Sequence, residues 1–238
     1  MKIALITIQN ANNYGGVLQT CATQKIFERY GEVDAINYEN RHLSRSLDLI
    51  RIKLSFHGLL GMGKDIIRIF PRHKAIKKFK KFLNNRINLT GSFSYEDLKS
   101  GKAGNYDVYI AGSDQVWNPE CVSDNKTIDN TYFLEFVANK TKKISYASSV
   151  GGYEFSEREA IKVKSLLTSF NHISVREMNT QHYLAKLLGK EIQHVVDPTL
   201  LLSKQEWLES LNIEYKNDAA ERYMLLYTVQ KAPLVKKQ

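Results

Sequence analysis

The N-terminal forty residues constrain the fold most. Lys2 to Ile8 (KIALITI) is a short, largely apolar, β-branched run ending in polar turn residues, the pattern of a buried strand. Asn10 to Gly16 (NANNYGG) has turn composition. Leu18, Cys21, Ala22, Ile26 and Tyr30 then recur at helical spacing as one apolar stripe, with Gln24, Lys25 and Glu28 off it. Gly31 stops the helix, and Val33 to Tyr38 reads as a second strand. A strand–loop–helix–strand unit favours parallel pairing with a right-handed crossover.

The rest of the chain continues the alternation. Residues 40–88 read as helical, with Ile76, Phe79, Phe82 and Leu83 on one face of a helix whose other face is lysine-rich. A short helix at Tyr95–Ser100 and a strand at Tyr106–Ala111 follow, then a loop from Gly112 to about Asn130. Strands are expected at Ile144–Ser148, His172–Val175 and Ile192–Val196. Helices are expected from Ser156, where Glu159 completes a capping box, at Glu177–Leu188 up to Gly189, and at Gln205–Leu211. Residues 216–218 read as a linker, and Tyr223–Val229 as one more strand. The expected fold class is α/β, a doubly wound, mostly parallel, Rossmann-like sheet, with one domain over residues 1–215 and the start of a second over 216–238.

Charge narrows the possible partners. The formal net charge is +9, yet no acidic residue lies between Asp65 and Glu96, where eight Lys and Arg residues fall within 68–86. The remainder carries only +1, so the basic character is local and implies a local anionic partner or surface. The simplest reading is a solvated face over a packed Phe79/Phe82 stripe. Contact with an anionic membrane surface is the second, and nucleic acid is disfavoured because no binding motif accompanies the lysines. The apolar run at the start is too short for a signal peptide and no stretch is long enough to span a bilayer, so a cytoplasmic location, peripheral to the membrane's inner face at most, is expected. Cys21 and Cys121 have no metal-ligand spacing and form no disulfide framework; Cys21 reads as a small core residue, and no metal or cofactor is expected.

Three loops fall at carboxyl ends of strands, where open α/β sheets bind ligands. In Asn12-Asn13-Tyr14-Gly15-Gly16, glycines would let the backbone approach a ligand and helix-start N–H groups would favour an anion; the alternative is a plain turn. In Ala111-Gly112-Ser113-Asp114-Gln115-Val116-Trp117-Asn118-Pro119, an indole beside amides and a carboxylate could hold a sugar; the favoured alternative is a structural turn in which Asp114 caps backbone and Trp117 packs. Arg176 offers a planar fork for carboxylate or phosphate, or a surface ion pair with Glu177.

NNYGGVLQ, IAGSDQVWNP, SYASSVGG, SVRE and VVDPTLLL with Trp207 occur in an order that resembles the polysaccharide pyruvyl transferase family. The resemblance implies a fold like that of GT-B glycosyltransferases. It also implies phosphoenolpyruvate as donor, a saccharide or lipid-linked saccharide as acceptor, and a pyruvate ketal as product in cell-surface or exopolysaccharide biosynthesis. On that match Arg176 would contact the donor anion, Asn13, Tyr14 and Gly15 would line the cleft, and Ser113, Asp114 and Gln115 would contact the acceptor or order the loop. Members of the family carry a second α/β half with an Arg–His pair serving the donor and the acid/base step. This sequence ends soon after what reads as the first strand of that half, and none of its six histidines sits in a matching context, so it reads as truncated with its catalytic acid/base unassigned. The alternatives are an inactive saccharide- or partner-binding remnant and a sugar-nucleotide glycosyltransferase of the same gross fold.

Overall fold

The computed structural model describes residues 1–11, 13–49 and 69–214. Five strands form an all-parallel sheet in the order β3-β2-β1-β4-β5: β1 (Lys2–Ile6), β2 (Glu32–Tyr38), β3 (Leu89–Phe93), β4 (Val108–Ala111) and β5 (Lys142–Ser145). A two-stranded parallel ribbon of β6 (Ser174–Val175) and β7 (Gln193–His194) lies beyond β5. It is joined to the sheet by isolated bridges, Ile144 to His172 and Ser148 to Val175. The order 3-2-1-4-5 with its extension is that of a Rossmann-like fold, whose switch point lies between β1 and β4.

β1 explains why a continuous apolar run was needed. Ile3 and Leu5 pack with Val33, Val108 and Ile110 on one face of the sheet. Ala4 and Ile6 turn to the other face and join Ile36, Tyr109 and Ala111. Both faces are buried, as in parallel sheets generally. Helices α1 (Tyr14–Phe27) and α3 (Ile69–Arg86) cover the first face, through Val17, Cys21, Phe79 and Leu83. The second face is covered by residues 116–137 and by α6 (Glu157–Thr168) and α7 (Met178–Leu188), with Trp117, Tyr132, Phe133, Leu167 and Leu184 fully buried there. The capping box at Ser156 and Glu159 forms as read, and Gly189 ends α7 at φ 64°.

Several expectations need correction. The stripe on α1 is broader than a single amphipathic face. The helix is wedged between the sheet, α3 and the 198–202 segment, so Gln24 is buried, its side chain accepting from the Asn88 backbone N–H at 2.8 Å and donating to Glu28 at 2.7 Å. Tyr30 lies beyond the helix end and is 65% exposed. The loop after β4 contains a four-residue helix, α5 (Pro119–Val122), capped by Asn118. β3 is an edge strand with no apolar alternation (LTGSF), defined by its pairing with β2 rather than by its own pattern. Strand β5 ends three residues early because Ala147 turns to φ 52° and the chain leaves the ladder. Between them, α2 (Arg41–Ser44) follows β2, α4 (Tyr95–Lys99) follows β3, and α8 (Lys204–Leu211) closes the described chain. Residues 216–238, with the expected linker and last strand, lie outside the described residues, as do 50–68.

On α3 the sequence reading of a packed stripe under a solvated face describes what is seen. Ile76, Phe79 and Leu83 are buried, while Lys74, Lys77, Lys78, Lys80 and Lys81 project into solvent. Cys21 is a buried core residue with its thiol pKa raised by burial. Among the described residues no helix is long and apolar enough to cross a membrane.

Candidate functional site

The loops after β1, β4, β5, β6 and β7 interlock at the carboxyl edge of the sheet, and short hydroxyl side chains do most of the joining. Thr7 Oγ1 donates to the Ser113 carbonyl at 2.7 Å, tying the end of β1 to the loop after β4. Ser148 Oγ lies within hydrogen-bonding range of the carbonyls of Ala111 (3.1 Å) and Gly112 (3.0 Å). Ser145 and Ser174 exchange hydroxyl-to-carbonyl bonds at 3.0 and 2.8 Å, and the Arg176 backbone N–H donates to the Ser148 carbonyl at 3.2 Å. Where crowded strand ends leave carbonyls without ladder partners, serine and threonine satisfy them at little volume.

At the centre of this edge lies an ion cluster. Arg176 Nη1 donates to Asp197 Oδ2 at 2.9 Å and Nε donates to Glu177 at 3.0 Å. Nη2 stands 3.9 Å from Asp114 Oδ1, too far for a hydrogen bond. Asp197 also accepts from the Thr199 hydroxyl and backbone N–H, and from Gln19 Nε2 on α1. Burial works against ionisation of Asp197, yet the donors from Thr199, Arg176 and Gln19 prevail and hold its carboxyl below the usual range. Burial likewise opposes the Arg176 charge, and the bonds to Asp197 and Glu177 more than offset it, raising its pKa. The cluster therefore brings one guanidinium together with three carboxylates. Arg176 Nη2, which stands beside the Asp114 carboxylate, and Asp114 Oδ2 take part in no hydrogen bond among the described residues.

The other sequence-predicted residues fall around this cluster with distinct surroundings. Asn13 caps α1, its side-chain oxygen accepting from the Gly15 N–H at 2.9 Å. Tyr14 is 75% exposed, its ring 4.7 Å from that of Phe79 on α3. Gly16 fits where no side chain could, since a Cβ there would stand 2.7 Å from the Ile8 carbonyl oxygen; the same point is 3.7 Å from Asp114 Oδ2. Ser113 is buried, its hydroxyl 3.4 Å from Asp197 Oδ2. Gln115 accepts from Asn118 Nδ2 at 2.7 Å and crowds Gly151, which sits at φ 60°. Trp117 belongs to the core. It is buried, stacks on Phe133 at 5.4 Å, and donates through Nε1 to the Tyr132 carbonyl at 3.0 Å, as the structural-turn reading holds.

The family model described as polysaccharide pyruvyl transferase matches residues 13–235, most of the chain. The chain belongs to the polysaccharide pyruvyl transferase family. No curated protein and no solved structure matches it. The stretches on which the sequence resembles the family, NNYGG, GSDQ, YASS, SVRE and VVDP, meet at this edge of the sheet.

Sequence reasoning did not single out Asp197, which pairs with Arg176 from the loop after β7, or Gln19, which bonds Asp197 from α1. The available signal for Asp197 was Asp-Pro-Thr, a turn-initiating pattern in which Asp caps the next residues. Gln19 closes the NNYGGVLQ stretch on which the family resemblance rests, but its residue type gave no role, since a glutamine on the first turns of a helix reads as solvated.

Proposed function

We propose that the chain takes part in transfer of pyruvate from phosphoenolpyruvate to a pair of hydroxyls on a saccharide, with the ion cluster as its donor and acceptor contact. The observation that carries this reading is Arg176 Nη2 standing 3.9 Å from the Asp114 carboxylate, with neither Nη2 nor Asp114 Oδ2 in a hydrogen bond among the described residues, at the switch point of a family member. A guanidinium edge suits the donor's carboxylate, and an unsatisfied carboxylate oxygen suits a sugar hydroxyl. In the reaction a proton adds to the methylene carbon of the donor. A sugar oxygen bonds to the adjacent carbon and gives up its proton, and the C–O bond to phosphate breaks. The second hydroxyl then closes the ketal and yields the proton that phosphate carries away.

The single guanidinium stands among three carboxylates, so the donor's phosphate needs cations from beyond this cluster. Asn13, Tyr14 and Gly15 form the α1 side of the same cleft. Calorimetry with phosphoenolpyruvate on the chain and on Arg176→Ala tests the reading. Binding weakened by about 1.5–3 kcal/mol in the variant supports it. Equal affinity in the two folded proteins removes Arg176 from the donor site. Binding of a nucleotide-sugar such as a UDP-sugar, in place of phosphoenolpyruvate, would favour the glycosyltransferase alternative, and binding of neither the inactive remnant.

A lipid-linked acceptor would bring the chain to a membrane, and the lysine face of α3 is suited to meet it. Phe79 packs against Tyr14 at the first turn of α1, and residues 69–78, about 15 Å of helix at 1.5 Å per residue, precede that contact. This stretch is tied down by Arg72 donating to the carbonyls of Asp48 (2.6 Å) and Ser46 (3.1 Å), with Phe70 85% exposed.

A further inference from the structure

A second concavity lies on the same edge of the sheet, between the end of β2 and the later part of the loop that begins with Ser113 and Asp114. Its volume is about 310 Å³, and its lining includes Glu39, Asn40, His42, Ser123, Asn125 and Thr127. That is the small end of ligand pockets, about 300–1,000 Å³, and suits a single sugar ring.

The basic groups around it are committed to acidic partners, and the lining is net acidic, with Glu39 and Asp129 in no ion pair among the described residues. Asp124 is held by His42 Nδ1 at 2.8 Å and Arg45 at 2.6 Å, and Arg41 by Asp48 at 2.8 Å. Asp129 is saturated by Tyr38 Oη (3.0 Å), Asn40 Nδ2 (3.1 Å) and the Thr131 N–H (2.9 Å). An anion would find no unpaired cation among the described residues here, and an apolar ligand would strand polar groups. What remains open are hydroxyls, the Asn125 amide and the Glu39 carboxylate, whose side chains make no ion pair among the described residues, apart from a Ser123–Thr127 contact at 3.0 Å. A neutral polyol matches such a lining, each hydroxyl both donating and accepting.

We infer that this cavity is a saccharide subsite, holding a sugar unit of the acceptor that neighbours the reacting one. The inference rests on the transferase reading for its place in the reaction. The loop from Ser113 to Asp129 would touch the reacting sugar at Asp114 and its neighbour in the cavity, using contacts away from the reacting hydroxyls to position them.

The test uses the ¹⁵N-labelled full chain with methyl glycosides of glucose, galactose, mannose and N-acetylglucosamine, followed by amide shifts. At least one should shift the amides of residues 39–42 and 123–129 saturably. Asn125→Trp, an exposed position, should fill the cavity and abolish the shifts, while Glu39→Ala should weaken binding roughly tenfold. Phosphoenolpyruvate titration should be unchanged in both variants. The subsite is overturned if no glycoside shifts these amides, or if the shifts persist in Asn125→Trp. If a glycoside binds here but phosphoenolpyruvate perturbs nothing near Arg176, the subsite stands and the transferase reading falls.

Discussion

At the residue scale, Asp197 illustrates how a charge is held for use. Its carboxyl titrates lower in the folded chain than in the unfolded one, where an aspartate sits near ~3.9. The stability it contributes is therefore fully present above about pH 4 and is lost as pH falls through the depressed folded value. Asp197→Asn should cost about 1.5–3 kcal/mol at pH 7, the range for hydrogen bonds to charged groups, and the gap from the parent should narrow in urea melts at pH 3. A gap that stays constant with pH would mean that the donors from Thr199, Arg176 and Gln19 do not favour the charged form of Asp197. Gly16 makes the opposite kind of demand, for absence of a side chain. Gly16→Ala should destabilise by about 1–3 kcal/mol in the same melts, because the clash is with backbone at Ile8 rather than a flexible side chain. It should also weaken phosphoenolpyruvate binding, since the shifted helix start carries Gln19 and so Asp197.

At the element scale, α3 separates two roles along one helix. Its apolar stripe secures α1 from outside the sheet, and its lysines are left to solvent. An anionic surface should attract each of these lysines by about 1 kcal/mol. In flotation with phosphatidylserine-containing vesicles, the parent should bind and Lys74→Glu/Lys77→Glu/Lys78→Glu should not, while neither should bind vesicles of phosphatidylcholine alone. Parent binding to both vesicle types, or to neither, would remove the membrane role. Elements also show where local pattern stops being informative. The capping box of α6 and the glycine stop of α7 were readable because each is a short-range hydrogen-bonding or φ requirement. β3 was not, because an edge strand of mixed composition takes its identity from the partner it pairs with.

At the scale of the whole molecule, the sequence by itself determined the class of fold and the family. Continuous apolar runs such as Ile3–Ile6 can only be buried on both faces, and their alternation with helical stripes allows little besides a parallel, helix-covered sheet. It also offered Ser113, Asp114 and Arg176 as candidates through the family resemblance, with a structural turn and a surface ion pair as the competing readings of the residues themselves. Only the tertiary structure decided what these residues meet. It placed Trp117 in the core rather than against a sugar, enclosed Arg176 among three carboxylates, and brought Gln19 and Asp197, 178 residues apart, into one hydrogen bond. The physical reason is range. Periodicity, caps and turns are settled by neighbours within about four residues, whereas the charge balance of a site depends on which distant loops share a sheet edge.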